Sequence, residues 1–270
     1  MQPSIVIRNL FASPRMRLLL AHLQFRFQQI RNSASNRKFR REHPGLSIPS
    51  DRDLFETFQV NYEKYFSDGA LAATEIMEWY APYRNAGKPI ILDWGCGTGR
   101  VIRHIPQIVP EAVCHGCDSN KSRINWARQQ INQVQFSTTE GWPLPYNNNQ
   151  FNLIFGISVL THTAAAEQME YIRELHRILQ PGGILILSTH GSNYTSRLSG
   201  RELETYLRGA YTRSYHEKGH RLICTYNHAA HFRQALATYF MIQEFYDGKS
   251  HPNKLGGQDL WIVQKAIADY

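Results

Sequence analysis

The feature that most constrains the fold of this chain is a short apolar run followed by a glycine-rich turn. Residues 90–100 read Ile-Ile-Leu-Asp-Trp-Gly-Cys-Gly-Thr-Gly-Arg, so three glycines stand at alternate positions. The apolar residues suit a parallel strand buried on both faces, and glycines let the backbone turn sharply and approach a ligand closely. Ligands of open α/β sheets bind where the strands end. The pattern predicts either a nucleotide-cofactor site or an ordinary strand-to-helix connection.

The residues after this turn narrow the choice of ligand. A dinucleotide fingerprint needs a further glycine at the position of Arg100, and no Gly-Lys-Ser/Thr ending marks a triphosphate loop. The strand-like run 112–118 ends in Asp118, which lies 25 residues beyond Asp93. An α/β nucleotide fold places there the carboxylate that accepts hydrogen bonds from ribose hydroxyls. The two signals together favour a nucleotide-type cofactor other than NAD or ATP.

Residues 92–100 resemble the first motif of the class I S-adenosylmethionine-dependent methyltransferases. The resemblance spans roughly residues 44–266. Residues 143–146 and 150–155 are similar to the loop and fourth strand of the family, and residues 179–187 are similar to its fifth strand. Residues 157–162 and 258–263 are similar to a subgroup associated with glycan and secondary-metabolite modification.

The resemblance implies a Rossmann-like, doubly wound α/β fold. We expect a seven-stranded sheet, mostly parallel with one antiparallel strand, and helices on both faces. The implied methyl donor is S-adenosyl-L-methionine, and the implied reaction is methylation of a hydroxyl on a glycan or small metabolite. The predicted cofactor-binding residues are Asp93, Gly95, Cys96, Gly97, Gly99, Asp118, Ser119, Glu140, Gly141, Trp142 and Ser158. A non-catalytic binding or scaffold protein of the same fold is the alternative.

Two histidines are the candidate catalytic residues. A hydroxyl acceptor benefits from a nearby base, and the ordinary pKa of histidine suits that role. His162 follows the fourth predicted strand, and His190 ends the fifth, so both fall at the edge where the methyl group should point. The alternative is that His162 caps the next helix or bonds to backbone.

The positive charge of the chain is concentrated at its N-terminus. Residues 1–42 hold nine of the 30 lysines and arginines but one of the 22 acids, which leaves 21 of each for the remainder. The balanced remainder argues against a nucleic-acid-binding face. Four cysteines give no disulfide framework, which favours a cytoplasmic protein, and the spacing of Cys114 and Cys117 favours buried thiols over a metal site.

Residues 1–42 are predicted to form a basic amphipathic extension, with a helix that begins near Pro14. This helix is too short and too charged to span a bilayer. It would lie on the inner face of a membrane, dock on a partner protein or cover its own domain, and a cleavable presequence is a further possibility. Residues 31–50 have the composition of a linker.

Residues 43–270 are predicted to form the methyltransferase domain. Strands and helices alternate from residue 89 to 189, with helices at 99–107, 120–131 and 164–179, and the last strand at 183–189. Residues 239–246 and 259–266 look like a closing antiparallel pair. Between them and the alternating part, residues 192–231 form an insertion, with a hairpin over 210–226 that turns at 217–219. The insertion is a candidate lid or, alternatively, a surface decoration.

Overall fold

The computed structural model describes residues 14–214, 223–251 and 255–267. The chain divides into two compact units, Met1–Asp68 and Gly69–Tyr270. Helix α3, Tyr62–Tyr80, contributes residues to both. None of the helices in the described residues combines the length and the apolar composition of a transmembrane span.

The first unit is helical. Helix α1 spans Pro14–Glu42 and helix α2 spans Asp51–Thr57. The Ser50 side chain caps α2 by accepting a hydrogen bond from the Asp53 backbone N–H. The small core of the unit consists of Phe39, Leu54, Tyr62 and Tyr65.

Polar side chains of α1 bond to the segment that precedes α3. The Val60 N–H donates to Gln28 Oε1 at 2.9 Å, and the Tyr62 N–H donates to Asn36 Oδ1 at 3.0 Å. Asn61 Nδ2 donates to Asn32 Oδ1 at 3.2 Å. The prediction of a linker over 31–50 is therefore wrong for residues 31–42, because the polar residues that suggested it satisfy the buried backbone of their neighbours.

The second unit is built on a seven-stranded sheet with the order β3-β2-β1-β4-β5-β9-β8. Strand β9 is antiparallel to both of its neighbours, and the other pairs are parallel, so β9 is the one reversed strand. The predicted fold class is confirmed. The strands are β1 Ile90–Trp94, β2 Val113–Asp118, β3 Val134–Thr138, β4 Phe151–Gly156, β5 Leu179–Thr189, β8 Met241–Tyr246 and β9 Asp259–Gln264.

Helices cover both faces of this sheet. One hydrophobic cluster joins alternate strand residues to α3, α4 and α5, and a second cluster joins the other strand face to α6 and α8. This arrangement explains why the central strands are continuously apolar, since both of their faces are buried. The helices are α4 Ile105–Ile108, α5 Lys121–Gln130, α6 Ala165–Ile178, α7 Arg201–Leu207 and α8 Ala229–Ala237.

Two predicted boundaries are wrong. Instead of a helix over 99–107, a short 3₁₀ helix at Ile102–His104 leads into α4, because the positive φ of Gly99, +72°, keeps that residue out of a right-handed helix. Strand β5 begins at Leu179 rather than at residue 183, since Leu179 already pairs with Phe151 of β4.

The insertion carries a second, two-stranded sheet. Strand β6, Ala210–Ser214, pairs antiparallel with β7, Ile223–Asn227, as the predicted hairpin requires, and its predicted turn at 217–219 lies outside the described residues. The hairpin is tied to the ends of β4 and β5. The Asn227 N–H donates to the His190 carbonyl at 2.9 Å, and Thr225 Oγ1 donates to the Thr163 carbonyl at 2.7 Å.

Candidate cofactor and acceptor site

The carboxyl ends of β1, β2, β4 and β5 meet at one edge of the sheet, because these four strands are parallel neighbours. The residues that leave this edge are Gly95 after β1, Ser158 after β4 and His190 after β5, while Asp118 ends β2. Sequence positions separated by up to 95 residues are thereby collected at the place where α/β folds bind ligands.

The glycine turn after β1 has backbone geometry that other residues rarely adopt. Gly95, Gly97 and Gly99 have φ of +76°, +56° and +72°. The Gly95 and Cys96 N–H groups both donate to the Cys117 carbonyl, at 2.8 and 2.9 Å, which holds the turn against β2. A Cβ on Gly95 would lie 2.4 Å from Cγ2 of Val159. The absence of side chains at these glycines keeps the turn compact and its backbone accessible to a ligand.

Asp118 is oriented by two backbone donors. Its Oδ2 accepts from the Gly97 N–H at 2.9 Å, and its Oδ1 accepts from the Asn120 N–H at 2.8 Å. The side chain is half-buried. Each carboxylate oxygen has a second lone pair, so the two oxygens retain the capacity to accept from a pair of ribose hydroxyls. This geometry fits the role predicted for Asp118.

Asp93 is a buried carboxyl beneath the same turn. Burial raises the pKa of Asp93 to about 8, while the Arg100 guanidinium and the Ile102 N–H partly oppose that rise. A cation placed beside this carboxyl would favour its ionised form. Asp93 therefore suits a cationic ligand group such as an ammonium.

The remaining predicted cofactor residues differ in exposure. Cys96 is buried, and burial raises the pKa of its thiol well above the ordinary value, so it packs rather than reacts. Ser119 is exposed. Glu140 forms a 2.7 Å ion pair with Lys121 in which both side chains are mainly exposed.

The loop after β3 places an aromatic ring at the surface. Gly141 has φ of +105°, and the next residue, Trp142, is 45% exposed. Its ring meets Tyr171 edge to face at 5.1 Å between centroids. The Thr139 N–H donates to the Asp118 carbonyl at 3.1 Å, which joins this loop to β2. Trp142 is thus available to cover a planar group, with Tyr171 as its support.

A hydrogen-bond network links the ends of β4, β5 and β9. Gln258 Nε2 donates to Ser158 Oγ at 2.7 Å, Ser188 Oγ donates to Gln258 Oε1 at 2.7 Å, and the Ser158 N–H donates to Ser188 Oγ at 2.8 Å. Ser158 has φ of +62°, which is uncommon for a residue with a side chain. Sequence reasoning missed Gln258 and Ser188, although the motif at 258–263 contained the signal for the first.

His162 bonds to the hairpin through its ring. Its Nδ1 lies 2.9 Å from the carbonyl oxygen of Ile223 in the hairpin. A carbonyl only accepts, so Nδ1 is the donor in this contact. The alternative that His162 bonds to backbone is therefore correct for Nδ1.

His190 lies near His162 but in a more buried position. Burial, with help from the charges of His162 and Arg197, lowers the pKa of His190 to about 3, so the ring is neutral at physiological pH. Its ring stacks on Tyr194 at 4.2 Å, and its Nδ1 lies 3.4 Å from Cys224 Sγ. His190 suits an orienting role better than that of a base. Sequence reasoning missed Tyr194 and Cys224, because their contact with His190 depends on how the insertion folds.

Gly191, beside His190, is expected to be intolerant of any side chain. A Cβ there would lie 1.9 Å from Oδ2 of Asp259, a buried residue whose Oδ1 accepts from the Gly248 N–H at 3.0 Å. We expect Gly191→Ala to lower the free energy of unfolding by about 2 kcal/mol, a typical cost of overpacking. Gly45→Ala, where a Cβ meets nothing within 4 Å, is the control and should be nearly neutral. Equal urea midpoints for both variants would contradict the close contact.

Comparisons with known proteins agree with this geometry. Residues 91–183 match the family described as a methyltransferase domain. The ubiquinone biosynthesis O-methyltransferase of Ruegeria pomeroyi is 28% identical over 120 residues, which are 42% of this chain and 47% of that protein. The chain spans less than half the length of the curated relatives it matches.

Two solved structures share the fold. A SAM-dependent methyltransferase from Methanosarcina mazei has a TM-score of 0.52 at 21% identity, covering 70% of this chain and 98% of its own. The 1,6-didemethyltoxoflavin-N1-methyltransferase of Burkholderia thailandensis, solved with S-adenosylhomocysteine bound, has a TM-score of 0.53 at 14% identity, covering 74% and 79%. Residues 91–183 are therefore similar to a methyltransferase domain, and the second unit shares its fold with solved methyltransferases.

Proposed function

We propose that this chain transfers the methyl group of S-adenosylmethionine to a hydroxyl of a small metabolite or glycan. The observation that carries the proposal is the position of the His162 ring, held through Nδ1 by the Ile223 carbonyl, at the same sheet edge as the glycine turn and Asp118. The similarity to an O-methyltransferase supports a hydroxyl acceptor, and the subgroup resemblance of residues 157–162 supports the acceptor class.

The cofactor is held by the backbone turn and two carboxylates. Asp118 binds the ribose hydroxyls, and Asp93 binds the ammonium of the methionine part, while the glycines at 95, 97 and 99 let the backbone approach. Trp142 covers the adenine. When bound, S-adenosylmethionine supplies an already activated methyl group, so the protein mainly aligns the acceptor and excludes water.

On the acceptor side, His162 accepts the proton that the hydroxyl loses, and the Ile223 carbonyl holds the ring in the required tautomer. His190, neutral and stacked on Tyr194, orients the acceptor beside it. The insertion at 192–231 acts as the lid that excludes water. Its hydrogen bonds to Thr163 and to the end of β5 support this role.

A screen for methyl transfer over sugars, phenols and amines, read by mass spectrometry, tests this function. We expect the mass of an acceptor that carries a hydroxyl to rise by about 14 units, because a CH₃ group replaces the hydroxyl hydrogen. His162→Gln should then lower kcat by about 10²- to 10⁴-fold, because glutamine donates to the Ile223 carbonyl but offers no base. His251→Gln, at an exposed position, is the control.

Two results would contradict the proposal. Methylation of amines alone would reject the hydroxyl acceptor. An unchanged kcat in His162→Gln, with its affinity for S-adenosylmethionine also unchanged, would remove His162 from the reaction.

Cofactor binding is expected to release a proton from Asp93. Its folded-state pKa of about 8 lies above the ordinary value of 3.8, so Asp93 stabilises the fold most at low pH, and that contribution is lost as pH rises through about 8. An ammonium beside the carboxyl favours ionisation, so affinity should rise with pH up to about tenfold per unit below pH 8. Calorimetry at pH 7 in two buffers of different ionisation enthalpy measures the release. Asp93→Asn should show none, and a buffer-independent enthalpy in the unmodified protein would contradict this role.

A further inference from the structure

Four large apolar side chains stand in solvent on one side of helix α1. With 3.6 residues per turn, their spacing of four, four and three residues aligns them along about 16 Å of the helix. They are Leu19, Leu23, Phe27 and Ile30, which are 51%, 54%, 62% and 72% exposed. Single exposed apolar residues are ordinary, but a continuous row indicates a contact surface.

The opposite side of α1 is the one that packs within its own unit. The Phe25 ring meets Phe55 at 5.2 Å, and the Phe39 ring stacks on Phe66 at 5.6 Å. At 100° per residue, the centre of this packed side lies about 180° from the exposed row. The amphipathic row predicted from the sequence is therefore not the surface with which α1 covers residues 43–68.

Positive charge accompanies the exposed row. Exposed basic side chains flank it and continue along the same side of the helix toward its C-terminal end. These are Arg26, Arg31, Arg37, Lys38 and Arg41. The one acid in α1, Glu42, forms a 3.7 Å surface ion pair with Lys38, which does little to offset the excess of positive charge.

We propose that the exposed side of α1 docks on an anionic phospholipid surface. A helix of this kind lies in the plane of the interface, with its apolar residues at the boundary of the acyl chains and its basic residues among the headgroups. A second copy of the chain fits less well, because it would bring the same positive charges to the contact. The proposal is independent of the methyl-transfer reaction.

Flotation with vesicles tests this surface on the full-length protein. The protein should bind vesicles of phosphatidylcholine that contain about 30% phosphatidylglycerol, because this anionic fraction gives the surface a marked negative potential. It should not bind vesicles of pure phosphatidylcholine. Leu23→Asp/Phe27→Asp should lower partitioning at least about tenfold, since it removes two inserted side chains. Leu207→Asp, at a residue of α7 that is 55% exposed, is the matched control and should bind normally.

Charge variants test the attraction between the basic side chains and the anionic headgroups. Arg37→Gln/Arg41→Gln should weaken partitioning about fivefold for each charge removed. Salt at about 0.5 M should weaken the partitioning of the unmodified protein, because it screens this attraction. Point variants are preferable to a deletion of residues 1–42, because Asn36 and Phe39 are buried in the first unit. Circular dichroism confirms that each variant keeps its helices.

Three outcomes would overturn the proposal. One is the absence of binding to the anionic vesicles, and another is equal partitioning of Leu23→Asp/Phe27→Asp and the unmodified protein. The third is a dimer, measured by light scattering without vesicles, that Leu23→Asp/Phe27→Asp dissociates. That result would assign the exposed row to contact between copies.

Discussion

Replacing Asp118 with alanine is expected to weaken the binding of S-adenosylmethionine by about 100-fold or more. The variant would lose the two charge-assisted hydrogen bonds that we propose between Asp118 and the ribose, each worth about 1.5–3 kcal/mol. It also leaves the Gly97 and Asn120 N–H groups without the carboxylate that now accepts from them. Isothermal calorimetry with the purified protein measures the dissociation constant directly.

Glu140→Ala is the control for Asp118→Ala. Glu140 is another of the predicted acidic contacts, but its carboxylate lies at the surface in an ion pair with Lys121. Exposed pairs contribute little, so this variant should change the affinity by less than about threefold. If Asp118→Ala binds with unchanged affinity while keeping its thermal stability, Asp118 is not the ribose ligand.

Gly95→Ala is expected to be strongly destabilising. A side chain at φ of +76° costs about 1–2 kcal/mol, and the new Cβ, 2.4 Å from Val159 Cγ2, adds an overpacking cost of about 1–3 kcal/mol. We expect the thermal midpoint to fall by roughly 10 °C. Differential scanning calorimetry measures the change.

A double variant separates the two causes of this loss. Val159→Ala removes both methyl groups that the Cβ would meet, so Gly95→Ala/Val159→Ala should recover the steric part but not the backbone part. Gly87→Ala, at φ of +114° with nothing within 4 Å of the Cβ, reports backbone strain alone. Simple additivity of Gly95→Ala and Val159→Ala would show that the contact with Val159 is not the cause.

The sheet could be predicted because its signals are local. Strands β1 and β4 are short, mainly apolar runs, and the glycine turn fixes where β1 ends, so the edge that collects Gly95 and Asp118 follows from the topology. The position of His162 at that edge follows in the same way.

The parts that could not be predicted depend on contacts between distant residues. Gln258 bonds to Ser158 across 100 positions, and the His162 ring bonds to the carbonyl of Ile223, 61 positions away. Asn32 and Asn36 suggest a linker by composition, yet they are helical, and their side-chain oxygens accept hydrogen bonds from Asn61 and Tyr62. Periodicity and propensity contain no information about such partners.

A crystal structure of the complex with S-adenosylhomocysteine would show where the cofactor lies. We expect the ribose hydroxyls on the Asp118 carboxylate, the ammonium beside Asp93 and the sulfur on the side of His162. A complex in which the nucleoside lies away from Asp118, or in which the sulfur faces away from His162, would contradict it.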